Sequence, residues 1–275
     1  MKKRVIVVIL LIVAAAVAGT LTRSARQKGQ AVQNGTGEST QDGESMEIRQ
    51  SYKLQPGAQV LVTGINGKVE IETSDTDTAE IYIQRTARKP EDLERRRIII
   101  ENTDTSLTIR TEQKKTFSFL NFWHGGNSAS ERVTLKLPRQ ISLKTKGVNG
   151  SVNIGEVAGT LEISGVNGKV EAVKAAGYTE VSGVNGPIVL TVGQLDERGL
   201  KINGINGSIE LRLKAGVNAD FQAKGMNGSV KSEVADVVVE KDAERSRYSA
   251  KIGSGGAPIT ITGINGSVRF TRPSV

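Results

Sequence analysis

The chain of 275 residues contains no cysteine and one histidine, and it is poor in aromatics (4%) and in proline (six residues). Each scarcity excludes something. Without cysteine there is no disulfide, no thiolate ligand and no lipidation of the lipoprotein kind. His124, standing alone, has no second His or Cys to complete the usual metal or catalytic sets. With so few aromatics, β-branched and Leu side chains must carry the interior, each contributing about 1.5–3 kcal/mol on burial before chain entropy is subtracted.

Glycine, by contrast, is plentiful, at 31 residues, and it is patterned. The phrase Gly-x-Asn-Gly occurs seven times, with its asparagine at Asn66, Asn149, Asn167, Asn185, Asn206, Asn227 and Asn265. From Asn149 to Asn227 the copies recur every 18–21 residues, the signature of a repeat architecture. Asn-Gly supplies two positions that tolerate φ > 0, so each copy marks a tight corner. Counted from the first glycine of each copy, positions −4, −2, +5 and +7 are apolar in 25 of 28 instances, against about ten expected from a chain that is 37% hydrophobic. The intervening positions carry Lys144, Lys146, Glu162, Lys169, Glu171, Lys201 and Glu210 among others. Such alternation is the pattern of a half-buried β-strand.

Two arrangements satisfy it. Asn-Gly could be a hairpin turn in an antiparallel meander or sandwich. Alternatively, each copy is a rung of a single-stranded, right-handed parallel β-helix, with every strand paired to its counterpart a rung away. The second explains why the copies look alike, because equivalent side chains would stack and asparagine amides would hydrogen-bond along the stack. Alternating pairs also recur at Ile81/Ile83, Ile98/Ile100, Leu107/Ile109, Val133/Leu135, Val237/Val239 and Ala250/Ile252. These read as further rungs whose corners are replaced by loops near 84–97, 110–132 and 240–247. The count reaches about ten rungs, roughly 48 Å at about 4.8 Å per strand. All three loops would leave from one edge, and insertions on one face of a repeat array often form its binding face.

Lys2-Lys3-Arg4 followed by the apolar run Val5–Ala18 reads as an export signal, and Ala16-Val17-Ala18 fits a cleavage site. Because the run extends to Leu21, residues 1–21 are read as a signal peptide or an uncleaved membrane anchor. Residues 22–50 read as a flexible linker and 51–275 as one repeat domain. The net charge of +8, behind an export signal, points to anionic lipid headgroups or acidic surface polymers, and not to nucleic acid.

The candidate contact residues lie in two loops. Phe119, Phe122, Trp123 and His124 gather the only tryptophan and the only histidine with two of the five phenylalanines. Such a loop either folds over a sheet face or offers a contact surface. Arg95, Arg96 and Arg97 end a short helix expected to begin at Pro90; they pair locally or meet anionic groups. Asp75-Thr76-Asp77 reads as a turn, and Gly253-Ser-Gly-Gly256 follows a strand but opens no helix. No catalytic, metal or cofactor site is read from the sequence.

The strand ending Leu135-Lys136-Leu137-Pro138, followed by Gly-x-Asn-Gly copies behind an export signal, resembles the bacterial putative-adhesin β-strand-repeat domains of unknown function. It is similar in style to the head-GIN adhesin-like proteins, through the Gly-Ile-Asn phrase at 64–66, 204–206 and 263–265. The resemblance covers about residues 50–272. It implies an exported or membrane-anchored β-helical protein, and it brings no catalytic residues. The resulting expectation is a non-enzymatic binding or scaffolding module at the cell envelope, periplasmic or surface-exposed. Its partner would be an anionic lipid, a surface polysaccharide or a membrane protein. The alternatives are a membrane-anchored accessory of envelope-stress signalling and a carbohydrate-active enzyme on the same scaffold.

Overall fold

The computed structural model describes residues 44–113, 129–174, 177–242 and 247–273. Among them are twenty-one strands and one short helix. The first part holds β1 (Glu44–Lys53), β2 (Ala58–Thr63), β3 (Gly67–Ser74), β4 (Thr78–Ala87), α1 (Pro90–Arg95), β5 (Arg96–Thr103), β6 (Ser106–Gln113) and β7 (Ser130–Pro138). The middle holds β8 (Ile141–Val148), β9 (Val152–Val157), β10 (Leu161–Asn167), β11 (Val170–Lys174), β12 (Thr179–Asn185), β13 (Ile188–Val192), β14 (Leu200–Asn206) and β15 (Ile209–Leu213). The last part holds β16 (Ala219–Asn227), β17 (Val230–Ser232), β18 (Val239–Asp242), β19 (Arg247–Ile252), β20 (Ala257–Asn265) and β21 (Val268–Thr271). β1 therefore begins inside the stretch whose composition reads as linker.

The architecture is all-β: two large mixed sheets of ten and eleven strands, with no closed barrel. The two strands flanking a Gly-x-Asn-Gly corner lie in different sheets. An Asn-Gly hairpin would pair β10 with β11. Instead Leu161 of β10 stands between Leu143 and Thr179, in parallel register with the equivalent residues of the copies on either side. β11 likewise runs parallel to β9 and β13.

Burial follows from this register. Each corner turns on its first glycine, as at Gly165 with φ +62°. The next residue then points inward, and Ile65, Val148, Val166, Val184, Ile205 and Ile264 are all buried. Periodicity had assigned four inward positions per copy; the structure adds this fifth. The second glycine answers a different demand. A Cβ on Gly168 would stand 2.4 Å from the carbonyl oxygen of Gly150 in the neighbouring copy. The left-handed freedom expected of the Asn-Gly pair thus resides on the two glycines that flank the corner. Both sheets feed one continuous apolar core.

The ends depart from a simple succession of parallel rungs. The copy containing Asn66 is interior: β2 lies between β8 and β6, and β3 between β9 and β7. β6 and β7 form a parallel layer outside it, and then the direction reverses, with β5 antiparallel to β6, β4 to β7 and β1 to β4. At the other end β20 sits between β14 and β16, and β21 between β15 and β17, so the last copy is inserted inside the one before it. The chemistry of the two copies accounts for their order. Ile259, Ile261, Ile264, Val268 and Phe270 form an all-apolar inward set and gain neighbours on both sides. The outer copy carries Met226, which is only partly buried, and the polar Ser232.

Of the pairs Val237/Val239 and Ala250/Ile252, expected to bracket a rung corner, Val239, Ala250 and Ile252 instead belong to one sheet, and Val237 precedes it. β18 and β19 form an antiparallel pair beside β16. No Gly-x-Asn-Gly stands between them to carry the chain to the opposite sheet.

Stability should register these distinctions in urea unfolding. Gly168→Ala is expected to cost about 3 kcal/mol through the backbone clash. Gly165→Ala, whose Cβ would find space, should cost about 1–2 kcal/mol from left-handed strain alone. Thr145 and Thr179 are buried at inward positions with hydroxyls that meet no partner. Thr145→Val should therefore stabilise by about 1 kcal/mol, and a loss of stability would contradict this account of the core.

Candidate functional site

Because each corner sends its middle side chain inward, the following asparagine points out, and the seven asparagines stack into one ladder. Asn149 donates from Nδ2 to Asn66 Oδ1 at 2.9 Å, Asn167 to Asn149 at 3.0 Å and Asn185 to Asn167 at 3.1 Å. Asn206 donates to Asn185 at 3.0 Å, Asn265 to Asn206 at 3.0 Å and Asn227 to Asn265 at 3.2 Å. The ladder thus follows the spatial order of the copies and not the order in sequence. An amide has two donors and two acceptor sites, so each interior asparagine keeps one of each facing solvent. All the donors point one way, and such a chain of amides polarises cooperatively.

Its donor end is closed by Ala129 and by Glu131 of β7. Asn66 Nδ2 donates to the carbonyl of Ala129 at 2.7 Å, and the Asn66 backbone N–H donates to Glu131 Oε2 at 2.7 Å. The Glu131 side chain is fully buried and also accepts from Arg96 Nε at 3.0 Å and Nη2 at 3.2 Å. Arg96 Nη2 reaches the Gly64 carbonyl at 2.7 Å as well. Beside this pair Arg85, also fully buried, donates to the carbonyls of Leu93 and Arg96 at the end of α1. Burial pushes the Arg85 guanidinium down from its ordinary value; the Glu131 carboxylate opposes that shift and the Arg96 charge adds to it. Two guanidinium groups and one carboxylate therefore tie α1, the first corner and the neighbouring segment together.

The strand registers place three departures at this same edge. Arg85 lies opposite Glu131, so β4 leaves for α1 where β7 begins. β6 runs parallel to β2 and therefore ends at the corner side. Asp242 lies opposite Arg247, which lies opposite Lys224 just before the corner at Asn227.

Phe119, Phe122, Trp123 and His124 lie outside the described residues; the flanking Gln113 and Ala129 stand at the asparagine edge. The arginine trio divides. Arg95 and Arg97 are exposed, whereas Arg96 is committed to Glu131. Asp77 of the expected turn is taken up by Thr78 and Lys53, which hold its carboxyl below the usual range. What sequence reasoning missed is the pair Arg85 and Glu131, although a signal existed: both continue the inward parity of their strands, after Ile81 and Ile83 and before Val133 and Leu135. The export-signal residues 1–21 also lie outside the described ones. Among the described residues no helix is long and apolar enough to cross a membrane, and no group of three His, Cys, Asp or Glu could hold a metal ion.

No protein-family model and no curated protein matches the chain. Its solved structural neighbours include bacterial proteins described as putative adhesins. A putative cell adhesion protein from Clostridium sporogenes is 14% identical, covering 83% of this chain and 100% of its own, with a TM-score of 0.43. A putative adhesin from Bacteroides fragilis is 14% identical over 82% of this chain and 97% of its own, at 0.33. A putative lipid binding protein from Parabacteroides distasonis is 12% identical over 82% and 97%, at 0.26. Likenesses of this size leave function to be read from the residues of the chain itself.

Breaking the buried knot should be costly. Glu131→Ala leaves two guanidinium groups uncompensated and is expected to cost about 3–5 kcal/mol. Arg97→Ala, at an exposed position, should stay within about 0.5 kcal/mol of the parent. Equal unfolding midpoints for the two variants would overturn the assignment.

Proposed function

We propose that the protein is an exported, adhesin-like β-solenoid, without catalytic activity, that binds a component of the cell envelope along its asparagine edge. In this reading the parallel stacks β6–β2–β8–β10–β12–β14–β20–β16 and β7–β3–β9–β11–β13–β15–β21–β17 are the two walls of a solenoid. The antiparallel strands at either end close it. The observation that carries the reading is the convergence of three chain departures on the edge occupied by the asparagine ladder. The edge repeats one surface where the corners are regular, a glycine following every asparagine. Near the first corner it carries the exposed Arg95 and Arg97 together with the base of the segment holding Phe119, Phe122 and Trp123. Aromatic groups on a segment that departs from the same edge as these cations would suit a partner with apolar and anionic parts: an anionic lipid surface, an acidic polysaccharide or a membrane protein. An N-terminal signal or anchor in residues 1–21 would deliver the rod to the envelope, and residues 22–43 would tether it.

Trp123, the only tryptophan, is its own reporter. Removing residues 1–21 leaves every described strand intact, because strand pairing begins at Glu44. That form is titrated with anionic vesicles, neutral vesicles and envelope polysaccharide while emission is followed. A blue shift with one ligand, reduced by a combined Arg95→Ala and Arg97→Ala variant, is the expected result. Emission that none of the ligands moves would overturn the aromatic segment as a lipid or glycan contact.

A further inference from the structure

The two sheets have four outer strands, and three of them carry devices that discourage further pairing. β17 has three residues. β18 has four, with Glu240, Lys241 and Asp242 exposed. β5 turns the charged Arg96 inward, an established way of blunting an edge. β1 is neither short nor charged among its partly buried residues, and its charges, Glu44, Glu47, Arg49 and Lys53, are all exposed. It is ten residues long, contains no proline or glycine, and among the described residues pairs only with β4. Its inner side presents Met46, Ile48, Gln50 and Tyr52, all partly buried, and Ile48 and Tyr52 pack against the main core. Among the described residues nothing pairs with the row of backbone donors and acceptors along its outer side.

We propose that β1 is a self-association edge, pairing antiparallel with β1 of a second copy about a two-fold axis through Ile48. Register selects this pairing. Facing residues must share a side of the sheet, so inward residues meet inward ones. Two such registers keep nine of the ten residues paired. One sets Arg49 against Arg49 of the second copy. The other sets Ile48 against Ile48, Met46 against Gln50, Ser45 against Ser51, and Glu47 against Arg49, twice by symmetry. Only the second is complementary in charge. It is an isologous contact, which closes at a dimer.

The two charged groups are already held in place on the outer face. Tyr82 donates its hydroxyl to Glu47 at 2.7 Å, and Arg49 lies over the Tyr82 ring at 4.7 Å while reaching Glu47 at 3.1 Å. Pairing would join the two ten-stranded sheets into one and bring four charges of alternating sign together across the seam. Both outer-face networks would meet at the axis, on the sheet face away from the core.

The test uses the full chain. Light scattering over a dilution series should show a monomer–dimer equilibrium. Glu47→Arg and Arg49→Glu, each alone, should weaken it by about tenfold or more, since attractive pairs become repulsive ones. The double variant should restore it, and an equimolar mixture of the two single variants should form the heterodimer. The native chain has no cysteine, so Ile48→Cys gives a clean second readout. It should form a disulfide-linked dimer on mild oxidation, whereas Gln50→Cys, opposite Met46, should not. A monomer at every concentration, a dimer indifferent to the charge swap, or cross-linking at Gln50 in place of Ile48 would each overturn the proposal. Association through the apolar residues 5–21 would be recognised by its indifference to the charge swap.

Discussion

Much of this structure depends on how closely two backbones approach at the corner. With the carbonyl of Gly150 only 2.4 Å from where a Cβ of Gly168 would stand, no side chain fits there. That closeness lets parallel neighbours stack in register through the turn as well as along the strands. In-register stacking, in turn, sets asparagine against asparagine and apolar side chains against their equivalents. Had the corner needed a bulkier residue, the copies would splay at the turn and the amides would fall out of hydrogen-bonding reach.

The same constraint explains how the end copies can take places out of chain order. Any Gly-x-Asn-Gly copy presents the same corner, the same inward set and the same amide to whichever copy lies beside it. The stack is therefore nearly indifferent to chain order, and side-chain quality decides position. Residues 257–271, apolar at each inward position, occupy an interior place; residues 219–232, with Met226 and Ser232, stand further out. Phe221 and Phe270, edge to face with centroids 4.8 Å apart, join these two copies. Mixed sheets follow naturally, because the chain must reverse beyond each end of the parallel stack in order to return.

This also marks what was legible in the sequence. Alternation around the corners gave the strands, and the identity of the copies gave asparagine stacking, since both are local properties repeated many times. Order within the stack was hidden for the reason just given: a sequence-order stack and the observed one satisfy the same pattern. The β18–β19 pair was misread as a rung because two alternating segments look alike whether the chain crosses to the other sheet or turns back. Arg85 and Glu131 were read into the loops near 84–97 and 110–132 because charged residues are commonly read as surface, whereas β4 runs on to Ala87 and β7 begins at Ser130. Their parity alone placed them inside, where Arg96 and the Asn66 backbone complete their contacts. The aromatic segment could be located along the chain, but its contacts are not dictated by any repeat.

The two ends of the parallel stack also meet different electrostatic conditions. At the donor end of the asparagine ladder a carbonyl accepts the last amide, and a buried carboxylate accepts the adjoining backbone N–H. Negative charge at the positive end of an aligned dipole array is the favourable arrangement, as at a helix N-terminus. At the Asn227 end no donor among the described residues caps the last oxygen. The stack is therefore polar along its length, and α1, the guanidinium groups and the buried Glu131 gather at its donor end. A ligand that follows the edge would meet a regular amide surface first and a charged, irregular one last. Recognition specific to one partner would then arise at the irregular end, because a repeated surface offers every position the same contact and selects for repetition alone.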